Sequence, residues 1–268
     1  MGKVLRYLLV GLGAVVMLFP FAWAVITSIT PSDAVLAVPP DFTPEGASLD
    51  AYGKLLDTLP FWRIVLNSAW IGAAATMVQL VTSAMAAYAF ARLPFPGRGA
   101  LFAVYLTTLM MPLPVLVVPL FIEMRTFGLV DTYFALLAPT IASAFGVFLL
   151  RQAINQVPRE FDEAAVLDGA GHFRIFLYVV LPLIRPALAT FAIFGFMASW
   201  NSYLWPLIII KSPEFMTLPL GLATLHGQFT TEWDVVMAGS VISVVPILIL
   251  YVFAQKHVIA SVAQSGLK

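Results

Sequence analysis

One short stretch of the chain combines hydrogen-bonding groups with aromatic faces: it contains Trp200, Asn201, Tyr203 and Trp205. Such groups suit a neutral, hydroxyl-rich small molecule better than a charged one. Two other interpretations remain open. Tryptophan and tyrosine also mark membrane–water interfaces, and an asparagine can bond a neighbouring helix and hold a bundle together. We therefore treat Asn201 and Tyr203 as candidate polar solute contacts, and Trp200 or Trp205 as candidate stacking or gating walls. Pro206 is expected to break the helix nearby, which suits the wall of a cavity better than a lipid-facing surface.

A second stretch, Asn155 to Leu181, places acidic residues ahead of alanines and glycines. Pro158 and the acidic residues suit the first turn of a helix, where the helix dipole is positive. Gly169 and Gly171 supply the backbone freedom that a sharp turn or helix end requires. A second helix is expected over His172–Val180, ending before Pro182. The pattern predicts a helix–turn–helix over about residues 155–181, and a hairpin lying on the membrane with no docking role is the alternative.

Several kinds of chemistry are excluded by the residues that are missing. The chain has no cysteine, and its three histidines are too scattered to form a metal site. A phosphate-binding loop around Gly53-Lys54 would need glycine at position 48 and a hydroxyl at position 55, where Ser48 and Leu55 stand. The zero net charge gives nucleic acid no attraction. We expect no catalytic residue, no metal and no cofactor in this chain.

The elements that position these residues are predicted to cross a membrane. The composition is 61% hydrophobic and only 10% charged, far from the usual balance of a soluble domain. A span needs about 20 mostly apolar residues. Six segments qualify: Leu8–Ile29, Ile64–Phe90, Leu101–Met124, Thr132–Leu150, Leu183–Ile210 and Met237–Gln255. The predicted fold class is therefore all-α, a polytopic membrane protein with six transmembrane helices in one domain, residues 1–268, plus a cytoplasmic helix–turn–helix.

Small residues recur every four positions in the second of these segments, which predicts close helix packing. The two series are Ser68, Gly72, Thr76 and Ser83, Ala87, Ala91.

Lysines and arginines in the short loops predict the orientation. With the N-terminus inside, ten lie inside and four outside. The inside residues are Lys3, Arg6, Arg92, Arg98, Arg151, Arg159, Arg174, Arg185, Lys256 and Lys268; the outside residues are Lys54, Arg63, Arg125 and Lys211. Both termini are therefore predicted to be cytoplasmic. Because the span interiors carry almost no charge, an ion-coupled secondary carrier is the less favoured class of transporter.

The run Glu163-Ala164-Ala165-Val166-Leu167-Asp168-Gly169-Ala170, followed by Leu181-Pro182-Leu183 and Pro186, resembles the EAA loop of ABC-importer permeases. Its place between two predicted spans strengthens the resemblance. Further motifs resemble the carbohydrate-uptake (maltose-type) subfamily, and their order resembles the second permease of a pair. They are Pro60–Arg63, Asn67-Ser68, Ala87–Arg92, Phe95–Gly97, Pro112–Pro119, Phe148–Gln152, Trp200–Leu207, Thr217–Leu222 and Met237–Ser240.

The resemblance implies a permease subunit of a bacterial inner-membrane importer for a sugar, a polyol or a glycerol-phosphate-type solute. The partners it implies are a second permease chain, two ATPase subunits that bind ATP and Mg, and an extracytoplasmic solute-binding protein. It also implies that the EAA loop couples transport to the ATPase. The residues it assigns to that coupling are Glu163, Ala164, Ala165, Asp168, Gly169 and Ala170.

Overall fold

The computed structural model describes residues 2–37, 42–43, 46–226 and 231–265, with side chains described as far as Val252. Helices dominate these residues and no strand occurs among them, which confirms the all-α prediction. Lys268 and the side chain of Lys256, both counted on the inner side, lie outside the described part. The helices are α1 Gly2–Ile29, α2 Asp50–Thr58, α3 Phe61–Arg92, α4 Arg98–Thr107, α5 Leu113–Thr126, α6 Tyr133–Leu137, α7 Ala144–Gln156, α8 Glu160–Leu167, α9 His172–Ile175, α10 Leu181–Leu183, α11 Arg185–Trp200, α12 Leu204–Ile209, α13 Leu218–Ala223 and α14 Trp233–Ser265.

Three described helices, α1, α3 and α14, are each long and apolar enough to cross a membrane. Three further crossings are possible if each bent pair of helices counts as one, which gives up to six among the described residues. The pair α4–α5 bends by 99° and the pair α6–α7 by 45°. The first bend lies at Met111-Pro112, where Met111 is extended as a residue before proline prefers.

The fifth predicted segment, Leu183–Ile210, is not one helix. Helix α11 ends at Trp200, and α12 begins only at Leu204. The break therefore lies at Asn201–Tyr203 and not at Pro206, which the sequence pattern suggests as the breaking residue. Pro206 is the third residue of α12, where a backbone N–H would have no helical partner to lose.

The helix predicted to end before Pro182 also continues further. A π-helical turn over Phe176–Val180 follows α9, and α10 then carries Pro182 in its first turn. The N–H of Leu181 bonds the carbonyl of Phe176, five residues back. The direction changes only after Leu183, where the chain bends by 80° into α11.

Two compact units are distinguished by their internal contacts: the described residues of Met1–Leu66 with Met216–Ile249, and those of Asn67–Phe215 with Leu250–Lys268. In the first unit, Asp234 is buried and accepts a 2.7 Å hydrogen bond from the Ser32 hydroxyl. Lys54 donates to the same hydroxyl at 3.0 Å. These bonds connect the chain after α1 to the start of α14.

The core of the second unit forms where α3, α7, α9 and α11 pack together. Its buried residues include Ala87, Tyr88, Leu150, Ile175 and Phe191. The two series of small residues on α3 are buried, which confirms the prediction of close packing. A Cβ placed at Gly72 would lie 2.9 Å from the ring of Phe196, so helix α11 approaches there as closely as glycine permits.

Candidate coupling loop and solute path

The segment between α7 and α11 forms the predicted helix–turn–helix. Helix α8 begins at Glu160, with Asp162 and Glu163 in its first turn, and no basic residue lies in its last turn. Pro158 lies just before the helix and not inside its first turn, because Arg159 is the N-terminal cap. The acidic residues thus occupy the positive end of the helix dipole, as predicted.

Helix α8 ends in a Schellman motif. Gly169 has φ of +80°, a left-handed conformation that glycine adopts without strain. Its N–H donates to the Val166 carbonyl at 2.9 Å, and the N–H of Ala170 donates to the Ala165 carbonyl at 2.9 Å. Ala165 and Ala170 are both partly buried against the core. The predicted role of Gly169 as the turn residue is confirmed. The same prediction is wrong for Gly171, which has φ of −78° and ψ of 165°, an extended conformation that needs no glycine.

The remaining residues of the EAA run face away from the core. Glu163, Ala164, Asp168 and Gly169 are exposed. Leu167 is 88% exposed, and Phe161 and Val166 are also exposed. One face of this hairpin therefore offers apolar side chains beside carboxylates, a combination that marks protein-interaction surfaces.

A buried ion pair holds α8 against α3, and sequence reasoning missed it. The Nε of Arg92 lies 2.7 Å from Oδ2 of Asp162, and the Arg92 side chain is only 6% exposed. Its Nη2 donates to the Val157 carbonyl at 2.7 Å. The sequence gives one weak signal: Arg92 is the last residue of the motif Ala87–Arg92. In the prediction of orientation it is one of the charges of the inside loops, with no partner assigned to it.

The predicted solute-path residues are not gathered on one exposed surface. Trp200 is 2% exposed and stacks on Phe196, with ring centroids 5.7 Å apart. Trp205 is 4% exposed, and its indole N–H donates to the Ala135 carbonyl at 2.9 Å. Asn201 and Tyr203 are exposed. Both tryptophans therefore pack within this chain, and the two polar candidates alone offer free surface at the break between α11 and α12.

The Asn201 side chain makes a local bond. Its Nδ2 donates to the Met197 carbonyl at 2.9 Å, one turn earlier in α11. This bond closes the end of α11 and does not join two helices. The alternative that Asn201 holds the bundle together gains no support from it.

A polar cluster joins the connection before α6 to the chain after α12. Asp131 has φ of +64°, and its carboxylate accepts hydrogen bonds from the N–H groups of Lys211 and Ser212 and from the Ser212 hydroxyl. Burial raises the pKa of Asp131, but the hydrogen bonds from Ser212 and Lys211 outweigh it and hold that pKa below its ordinary value. The loop is thus held by charge-assisted bonds.

A second polar contact lies near it. The Tyr133 hydroxyl donates to Oδ1 of Asn67 at 2.7 Å, and Nδ2 of Asn67 donates to the Glu214 carbonyl at 2.8 Å. The ring of Phe215 stands edge-on to Tyr133 at 4.8 Å. Nothing in the local sequence connects these residues, although Asn67 belongs to one of the motifs that carry the family resemblance.

The family model for the binding-protein-dependent transport system inner membrane component matches residues 79–264. The chain belongs to this family. It is a non-catalytic permease subunit of an ABC importer, with the ATPase on a separate subunit, and family membership excludes the ion-coupled carrier as an alternative. The helices long enough to cross a membrane agree with an inner-membrane protein.

Relatives of the chain include permeases named for sugars and for glycerol phosphate. The arabinooligosaccharides transport system permease protein AraQ of Halalkalibacterium halodurans is 36% identical, covering 95% of this chain and 92% of that protein. The lactose transport system permease protein LacG of Rhizobium radiobacter is 32% identical, covering 95% and 92%. The sn-glycerol-3-phosphate transport system permease protein UgpE of Escherichia coli O157:H7 is 32% identical, covering 95% and 93%.

The fold also matches a solved importer. A chain of a bacterial ABC transporter involved in the import of the acidic polysaccharide alginate superposes with a TM-score of 0.84 at 26% identity, over 95% of both chains.

Proposed function

We propose that this chain and a second permease chain form the membrane path for a neutral sugar or polyol. The observation that carries the proposal is the exposed pair Asn201 and Tyr203 at the break between α11 and α12. No charged residue occurs from Pro186 to Ile210. Uncharged hydrogen-bonding groups suit hydroxyl-rich solutes, and the names of the relatives include arabinooligosaccharides and lactose. A glycerol-phosphate-type solute is the second candidate, supported by the similarity to UgpE.

Substitution of Asn201 by alanine tests the proposed path. Because the described side-chain bond of Asn201 is local to α11, the variant should still assemble with its partners. Uptake should fall, or the range of accepted sugars should change, in proteoliposomes of the complete importer. Unchanged transport and unchanged selectivity in an assembled complex would remove Asn201 from the path, and failure to assemble would favour a packing role.

The partners that we propose are the second permease chain, two ATPase subunits that bind ATP and Mg, and an extracytoplasmic solute-binding protein. The name of the family refers to a binding protein, which supports the last of these. The whole chain acts as a single transmembrane domain in this proposal, with both termini cytoplasmic. The absence of cysteine allows a direct test of orientation. Cysteines introduced at Lys54 and Lys211 should react with an impermeant reagent from outside, and one at Arg159 only from inside.

The segment 155–181 is the proposed coupling loop, which docks on an ATPase subunit. Its support is the exposed face of α8, where Glu163, Ala164 and Asp168 lie beside the apolar Leu167. Glu163 is expected to face a basic residue of the ATPase. In this proposal Ala165, Gly169 and Ala170 shape the end of the helix that presents this face.

Tryptophan at position 169 tests the docking. No atom lies within 4 Å of a Cβ built at Gly169, so the first atom of the new side chain meets nothing inside this chain. The φ of +80° adds a backbone cost of about 1 kcal/mol. The Gly169→Asn variant is the matched control, because asparagine tolerates the left-handed region. Gly169→Trp should lose solute-stimulated ATPase activity. Normal stimulation together with normal assembly would contradict docking at this face.

A further inference from the structure

One guanidinium connects three helices at the proposed cytoplasmic end of this unit. Arg92 is the last residue of α3. Its Nε lies 2.7 Å from Oδ2 of Asp162 in the first turn of α8, and its Nη2 donates to the carbonyl of Val157 at 2.7 Å. Val157 caps the end of α7. A single side chain therefore contacts the residues on either side of the turn from α7 to α8.

The two contacts define the direction in which α8 leaves α7. Pro158 follows Val157 and holds it in an extended conformation, with ψ of 123°. The guanidinium is planar and rigid, so its ion pair with Asp162 and its hydrogen bond to Val157 are made from atoms at a fixed relative position. A lysine ammonium would supply the charge but not this rigid fork of nitrogen atoms.

The surroundings of the pair are largely closed to water. The side chains of Arg92 and Asp162 are 6% and 17% exposed, and neighbouring Ala91 and Ile154 are buried. Nε of Arg92 and the second carboxylate oxygen of Asp162 are both buried and have no hydrogen-bond partner in the described part of the chain. The contact between the two side chains is therefore an ion pair without hydrogen-bond geometry. Buried ion pairs stabilise a fold no better than well-packed apolar groups do, since desolvation offsets their attraction. The distinctive property of this pair is its place: an ionic contact joins the end of α3 to the first turn of α8.

We propose that Arg92 is a positioning residue for energy coupling: it connects α3 rigidly to the docking helix α8, so that the two move together when the ATPase acts. This inference rests on the proposed docking of α8. It adds that the loop transmits movement through a fixed contact with a transmembrane helix. Without the Arg92–Asp162 contact, α8 still docks, but its displacement is no longer passed to α3.

The test uses the complete importer in proteoliposomes, with solute transported per ATP hydrolysed as the readout. Asp162→Asn keeps the shape of the side chain and removes its charge, and Arg92→Lys keeps the charge and removes the fork. Arg98→Gln is the matched control, because the Arg98 Nη1 donates to the Leu93 carbonyl of its own loop at 3.2 Å. Both test variants should assemble and hydrolyse ATP. The amount of solute transported per ATP should decrease by about 5- to 150-fold, which is the usual range for coupling between two sites. Arg98→Gln should keep the wild-type ratio.

A neutral pair, Arg92→Gln with Asp162→Asn, separates positioning from stability. Removing both charges together leaves no uncompensated buried charge, so the double variant should assemble as well. Transport per ATP should stay low, because the fork is absent. A wild-type ratio in either the double variant or an assembled Asp162→Asn complex would overturn the proposal. Failure of docking itself is recognised separately, by normal ATPase stimulation in Gly169→Trp.

Discussion

Replacing Gly146 by alanine should destabilise the second unit measurably. A Cβ at this position of α7 would lie 2.2 Å from Cζ and 2.7 Å from Cε1 of Phe191, and 2.6 Å from Oγ of Ser83. Ser83 can rotate its hydroxyl, but the Phe191 ring is 2% exposed and has no open space to enter. Over-packing a core costs up to about 3 kcal/mol. The better helix propensity of alanine returns about 1 kcal/mol. The expected net loss is therefore about 2 kcal/mol.

Thermal unfolding of the purified importer in nanodiscs, followed by tryptophan fluorescence, measures this loss. For a chain of this size the melting temperature should fall by on the order of 5 °C. Gly195→Ala is the control. Its new Cβ would lie 3.6 Å from Thr76, an ordinary contact, and it gains the same helix propensity. The difference in melting temperature between the two variants therefore measures the cost of the steric clash alone.

Shortening the opposing side chain gives a second check. In a Phe191→Leu background the ring atoms that clash are gone, so Gly146→Ala should cost less there than in the wild-type chain. Equal melting temperatures for Gly146→Ala and Gly195→Ala in the wild-type background would refute the reasoning that glycine is required for close packing.

Three further predictions follow from single contacts. Gly169→Ala should weaken the end of α8 by about 1 kcal/mol because of the φ of +80°, and solute-stimulated ATPase activity should fall below that of Gly169→Asn; equal activities would contradict the strain. The pKa of Asp131 is lowered, because hydrogen bonds from Ser212 and Lys211 outweigh the effect of burial, so its stabilisation is complete above the unfolded pKa of about 3.9 and is lost as the pH falls through the folded pKa. A melting profile of Asp131→Asn below about pH 4 should accordingly be flatter than that of the wild type, and parallel profiles would contradict this. Trp205→Phe removes the donor to the buried Ala135 carbonyl and should cost about 1–3 kcal/mol in thermal stability; an unchanged melting temperature would show that the bond is dispensable.

The parts of the fold that depend on periodicity and composition are predictable from the sequence. Long apolar runs predict α1, α3 and α14, because a helix that crosses a membrane must be apolar over about 20 residues. The end of α8 at Gly169 is predictable too, since a glycine that follows a helical run commonly adopts the left-handed conformation that ends a helix. Small residues four apart on α3 predict close packing, although they do not identify the partner helix.

Contacts between distant residues are not predictable in this way. The bonds between Asp131 and Ser212, and between Arg92 and Asp162, join residues on different helices or loops. A single sequence carries no pattern that pairs them. The sequence predicts the break in the fifth segment at Pro206, because proline disfavours helix interiors. That rule does not apply in the first turn of a new helix, and the actual break at Asn201 has no comparable local signal.

The Schellman motif of α8 divides the EAA run into two sets of residues with different tasks. Ala165, Gly169 and Ala170 are required by the shape of the helix end, whatever the loop contacts. Glu163, Ala164 and Asp168 point outward and leave the internal packing untouched. Because the two sets are physically separate, the ATPase specificity of the proposed coupling loop can be transplanted. Exchanging only the outward residues for those of another importer should redirect this chain to a foreign ATPase while its membrane helices fold as before.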